Sequence, residues 1–236
     1  MRKILHVMPV KTGQTRIEKV QYSLERIAFP GTTLDILSFE NGPSDLEYYA
    51  NEHEAISFML EEIPAVQYDY QAVTIGCFYD PGLRELRELL DIPVLGICQS
   101  SMMIASMIGH KFSVIVGRKK WIPRMSDNAN LYGFERKVAS WISLDLMVED
   151  IHKLNVQQIV EVIEEKCLKA ITEDMAEVII LGCAALEDVD VILQEKLGIP
   201  VIDPVAAAFK VAESLSDLKN KRGISTSKIF DFEQRK

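Results

Sequence analysis

Apolar residues along the chain fall into two alternating rhythms. Short runs rich in Val, Ile and Leu occupy 3–10 ("KILHVMPV"), 32–39, 71–77, 92–97, 111–117, 177–183 and 199–203. They predict strands buried on both faces. Between them, apolar residues recur every third or fourth position over 16–27, 45–63, 80–90, 101–109, 155–171 and 187–197, which predicts helices. Strand and helix in alternation imply parallel sheets covered by helices, an α/β fold. The stretch 117–141 ("GRKKWIPRMSDNANLYGFERKVASW") is polar, aromatic and poorly periodic, and predicts a loop or short-helix region over a cleft. Asp80 followed by Pro81 fits an N-cap and a first-turn proline, which places a helix N-terminus against the thiol of Cys77.

One piece of this pattern occurs twice. "AVTIGCFYDPGLRELRELLDIPVLGI" (72–97) and "AEVIILGCAALEDVDVILQEKLGIPVIDP" (176–204) each run from an apolar strand through Gly-Cys into a helix and then into Ile-Pro-Val. Cys77 lies 16 residues before Pro93, and Cys183 lies 17 before Pro200. The repeat predicts two pseudo-symmetric lobes, 1–96 with 206–225 and 97–205, followed by a C-terminal tail at 226–236. In open α/β sheets ligands bind beyond the carboxyl ends of the strands, at a switch point in the strand order. Both cysteines stand at such ends. If the lobes face each other about a pseudo-twofold axis, the thiols flank one pocket.

Composition narrows the class. At 236 residues and 48% hydrophobic the chain can bury substantial cores, and its net charge of −9 argues against a nucleic-acid partner. No apolar run approaches the length of a membrane span, so neither a membrane partner nor a membrane location is expected; a cytoplasmic protein is. The four cysteines, 77, 98, 167 and 183, form no CxxC pair and no metal-type spacing with the four histidines, so no metal is assigned. Cys167, inside a helical pattern, is expected to pack, and Met102, Met103 and Met107 to serve core or lobe-interface packing. The glycines make neither a Walker loop nor GxGxxG.

Two thiols at matched positions suit one chemistry well. Removing a proton from one face of a carbon and returning one to the other needs two groups able to exchange base and acid roles. A thiol titrating near neutrality can do either. No cofactor is then required.

At these residues the sequence resembles the aspartate/glutamate racemase superfamily, and within it the hydantoin racemase branch. The segments that carry the resemblance are "GCFYDPGLRELRELLDIPVLGI", "GHKFSVIV" (109–116), "IILGCAAL" (179–186) and "IPVIDPVAAAFKVAE" (199–213). It implies a cofactor-independent racemase with its active site between two α/β lobes. Cys77 and Cys183 match the catalytic cysteines. Phe78, Tyr79, Ala184 and Ala185 match pocket positions whose N–H groups could hold carbonyl oxygens and an enolate. Pro9, Val10, Lys11 and Thr12 stand where the branch commonly carries Asn-Pro-Asn-Thr/Ser, and both asparagine positions are apolar here. With Gly117 and Arg118, which follow the central strand of the second lobe, they are expected to line the substrate site. A small-molecule substrate and a homo-oligomer are expected. A 5-substituted hydantoin or related cyclic amide is the leading substrate. An amino-acid racemase, a maleate isomerase or arylmalonate decarboxylase-like enzyme, and a non-catalytic metabolite-binding protein remain as alternatives.

Overall fold

The structure, a computed structural model, describes residues 2–186 and 189–234. The chain divides into two compact units, one formed by residues up to Ile97 together with those from Ala208 on, the other by Cys98–Ala207.

In the first unit, β1 (Arg2–Met8), β2 (Thr32–Ser38), β3 (Ala72–Ile75) and β4 (Val94–Gly96) form a parallel sheet in the order β2-β1-β3-β4. Its helices are α1 (Gln14–Ile27), α2 (Tyr49–Val66) and α3 (Leu83–Leu89), and β4 runs directly into α4 (Ile97–Ile108), which from Cys98 on belongs to the second unit. The central strands β1 and β3 are buried almost throughout, which is why they read as unbroken apolar runs. α1 buries Val20 and Leu24, and α2 buries Ala55, Met59 and Ile63.

In the second unit, β5 (Phe112–Val116), β6 (Val138–Ser143), β7 (Val178–Leu181) and β8 (Val201–Ile202) repeat the plan in the order β6-β5-β7-β8, again all parallel. α5 (Ile122–Leu131), α6 (Val148–Lys153), α7 (Val156–Thr172) and α8 (Asp190–Leu197) belong to it, and α9 (Pro204–Arg222) leads the chain back into the first unit. Ile159, Val160, Ile163, Cys167 and Ala170 of α7 share a core with Ile115, Ile179, Leu181 and Leu193. Burial holds the Cys167 thiol far above its usual range, at about 12, so it packs as a neutral group.

Four sequence expectations differ from the structure. The stretch 117–141 does hold short helices, α5 among them, but its last residues are strand, the start of β6. β6 is an edge strand whose residues are half-buried from Val138 to Ile142, so it lacks the apolar run of a central strand. The helix expected from Asp80 begins instead at Leu83, because Pro81-Gly82 makes a turn with Gly82 at φ 66° before the helix starts. The helix expected over 187–197 is observed from Asp190; Glu187 and Asp188 lie outside the described residues, as do the last two residues of the tail. Of the three methionines on α4, only Met102 is buried, while Met107 is 77% exposed.

The tail ties down α3. Lys228 donates to Arg87 O (2.6 Å), Glu88 O (2.9 Å) and Leu90 O (2.6 Å), satisfying carbonyls that a helix C-terminus leaves open. Upstream of α3, Asp80 is buried at φ 50° with its carboxylate packed over Gly96 at the end of β4. A Cβ at Gly96 would lie 2.2 Å from the Asp80 Cγ, so the strand end has room only for glycine. Gly96→Ala is therefore expected to lower the unfolding free energy by about 1–3 kcal/mol, measured as a lower urea midpoint.

Candidate active site

The strand order of each unit changes direction beside its central strand, between β1 and β3 in the first and between β5 and β7 in the second. Loops leaving such neighbouring strands part there and open a crevice. The first unit brings Pro9, Val10, Lys11 and Thr12, which follow β1, to the same end of the sheet as Cys77, Phe78 and Tyr79, which follow β3. The second does the same with Gly117 and Arg118 after β5, and with Cys183, Ala184 and Ala185 after β7.

The Gly-Cys pair has a structural reason in both copies. The Gly76 N–H donates to Val7 O at 2.8 Å and the Gly182 N–H to Ile115 O at 2.7 Å, extending the strand pairing by one bond. Neither glycine has room for a side chain. A Cβ at Gly76 would lie 2.7 Å from His6 Nε2, and one at Gly182 would lie 2.7 Å from Ile115 O and from Val114 Cγ1. Each following cysteine then opens a turn: the Asp80 N–H donates to Cys77 O (2.9 Å), and the Leu186 N–H to Cys183 O (3.1 Å). Cys77 and Cys183 are both half-buried thiols, whereas Cys98 and Cys167 are fully buried. Cys98 sits within α4 with its Sγ 4.0 Å from Met102 Sδ.

Amides near the thiols have distinct duties. The Ala185 N–H donates to Cys183 Sγ at 3.4 Å. That amide is thus turned to the sulfur rather than held for a substrate carbonyl. The Phe78 N–H has no acceptor among the described residues. Because α3 and α8 begin only at Leu83 and Asp190, the donors closest in sequence to each thiol are turn amides rather than helix N-termini.

Sequence reasoning missed three polar residues that shape these crevices. Ser38, the last residue of β2, accepts from the Thr12 N–H (2.9 Å) and donates to Val10 O (2.9 Å). Ser143, the last residue of β6, donates its hydroxyl to Asp145 Oδ1 at 2.9 Å, with Gly117 O 3.3 Å from the same oxygen. The signal was present as a hydroxyl at the same end of each edge strand. The ring of Trp121 fills the space a side chain at Gly117 would need, since a Cβ there would lie 2.5 Å from two of its ring carbons. The third residue, His6, lies in the middle of β1 beneath Gly76 and shares a 2.8 Å hydrogen bond with Thr74 Oγ1. Among the described residues, no group of three or more His, Cys, Asp or Glu gathers as metal ligands would.

Comparison with known proteins settles the family. The model of the Asp/Glu/Hydantoin racemase family matches residues 5–212. The chain belongs to this family. It is 32% identical to a hydantoin racemase of a Pseudomonas species over 95% of this chain and 89% of that protein. Against a hydantoin racemase of Rhizobium meliloti it is 36% identical over 79% of this chain and 76% of that one. Among solved structures, allantoin racemase from Klebsiella pneumoniae superposes with a TM-score of 0.90 at 28% identity, covering 100% of this chain and 94% of its own.

His6 gives the first unit a pH dependence. Burial pushes its imidazole down to about 4, so it is neutral in the folded protein. The unfolded chain, with an ordinary histidine pKa near 6.5, binds the proton first. Stability is therefore full above about pH 6.5, falls as pH drops towards 4, and loses about 3 kcal/mol by the lower end. Denaturant titrations from pH 7 to 4 are expected to show this fall in the parent chain and a shallower one in His6→Gln.

Proposed function

We propose that the protein is a cofactor-independent racemase of 5-substituted hydantoins or a closely related cyclic amide such as allantoin, with Cys77 and Cys183 as its two bases. The observation that carries this reading is the repeated strand end. Two units of one topology each place a half-buried thiol directly after a glycine that has no room for a side chain, at the switch point of its sheet. A single nucleophile or proton donor would need only one such position.

In the forward direction one cysteine, as thiolate, takes the proton from C5 of the ring. The C–H electron pair moves to the neighbouring carbonyl, whose oxygen becomes an enolate. The other cysteine, as thiol, gives a proton to the opposite face of C5 and ends as the thiolate. The reverse reaction exchanges the roles, so the proton count closes with no redox partner. Turn amides such as the Phe78 N–H supply donors for the developing oxyanion, and the Ala185 N–H donates to Cys183 Sγ. The neutral ring agrees with the apolar Pro9 and Val10 in the loop after β1. The reading carries with it a cytoplasmic homo-oligomer, and the exposed Met107 and Ile108 on α4 support self-association. No helix among the described residues is long and apolar enough to cross a membrane.

Incubating the protein in D2O with single enantiomers of 5-substituted hydantoins, allantoin, aspartate and glutamate tests the proposal directly. NMR and polarimetry together are expected to show exchange of the α-hydrogen and loss of optical rotation for a cyclic amide. Cys77→Ala and Cys183→Ala are each expected to lower that rate by about 100-fold or more, with unfolding midpoints little changed. Undiminished racemisation in either variant would sink the two-base assignment.

A further inference from the structure

The loop after β1 is held more firmly than an exposed connection requires. The Lys11 N–H donates to Pro43 O at 2.8 Å and the Thr12 N–H to Ser38 Oγ at 2.9 Å. The Ser38 and Thr12 hydroxyls both donate to Val10 O, at 2.9 and 3.1 Å. With the amides of residues 11 and 12 spent on the protein, this part of the loop offers the exposed Lys11 side chain outward. Val7 pairs with Ile75 across β1 and β3, and the Gly76 N–H donates to Val7 O. Continuing that register sets Pro9 level with Cys77, so Lys11 springs from the neighbouring strand end two residues further on. A flexible four-carbon stem lets its ammonium swing back towards the thiol.

The second unit has a lysine at the matching place, with a different outcome. There Ile115 pairs with Leu181, so Gly117 is level with Cys183 and Lys119 stands two residues beyond. The Lys119 ammonium lies 3.6 Å from Asp145, the acid two residues after Ser143. In the first unit the acid two residues after Ser38 is Glu40, yet among the described residues no ion pair joins Lys11 to Glu40 or to any other carboxylate. Among the described residues, the matching lysine of the second unit stands beside a carboxylate and that of the first does not.

The geometry points to Lys11 as a specificity-determining residue that holds an anionic group of the substrate beside Cys77. Resting on the racemase reading above, this names the substrate class as a cyclic amide whose substituent carries a carboxylate, such as a 5-carboxyalkyl hydantoin. A cation close to the thiol favours an approaching carboxylate over a neutral group of equal size, and more strongly where water is thinned out.

Two alkylating agents of nearly equal size test the cation without reference to racemisation. Iodoacetate is anionic and iodoacetamide neutral; with each, the thiolate sulfur bonds to the CH2 carbon and iodide leaves. Rates at Cys77 are read in the full-length protein by peptide mass spectrometry. Lys11→Met is expected to lower the iodoacetate-to-iodoacetamide rate ratio by about threefold or more, and Lys11→Arg to restore it. A ratio that stays the same in Lys11→Met overturns the proposal. Polarimetry with 5-carboxymethylhydantoin and 5-isobutylhydantoin then tests the substrate class: the KM of the first should rise at least about threefold more than that of the second in Lys11→Met. An equal change in both overturns the class. If the parent racemises neither compound, the functional reading fails while the alkylation ratio still decides the cation.

Discussion

The architecture of each unit turns on a single backbone contact. A glycine directly after the third strand gives its N–H to a carbonyl of the central strand, Gly76 to Val7 and Gly182 to Ile115, and comes so close that no Cβ could fit. Because the glycine is drawn in, the next residue is carried past the end of the sheet into a turn. In both copies that residue is a cysteine. The position of each thiol is thus set by main-chain hydrogen bonding and close packing, both much stiffer than a side-chain rotamer.

The surroundings of that contact differ between the copies. Beneath Gly76 lies His6, kept neutral by burial and bonded to Thr74, whereas the side chains of Val114 and Val116 lie beneath Gly182. After the turn, Asp80 occupies the left-handed region over Gly96 in the first unit, while Leu186 is buried at the corresponding place in the second. Backbone strain of this kind at a non-glycine residue persists only where its neighbours enforce it. The shared frame positions two thiols alike, and the residues packed around them give each its own surroundings.

Membership of the Asp/Glu/Hydantoin racemase family agrees with this division. Similarity extends across nearly the whole chain in both sequence and backbone, so the frame is common property. The loop after β1, Met8-Pro9-Val10-Lys11-Thr12, is apolar at Met8, Pro9 and Val10 and carries its cation at Lys11. Its backbone is pinned by Ser38 and Pro43, so a change of the exposed side chain at Lys11 costs little in shape.

By itself the sequence determined the α/β class, the central strands, the repeat and the matched Gly-Cys positions. Buried parallel strands must be apolar throughout, and amphipathic helices must repeat near 3.6 residues, so both leave marks that need no partner to be read. The edge strand β6, only half-buried, left no such mark and read as part of a loop or short-helix region. Asp80-Pro81 carried a helix-start signal that the tertiary structure overrode, because the Asp80 side chain packs over Gly96, a neighbour remote in sequence. Ser38, Ser143 and His6 stayed hidden for the same reason. A hydroxyl or an imidazole at a strand position is uninformative until register brings it against Val10, Gly117 or Gly76. Local periodicity is written in neighbouring residues, whereas the contacts that shape the crevices join strands far apart in the chain and exist only once the sheets have formed.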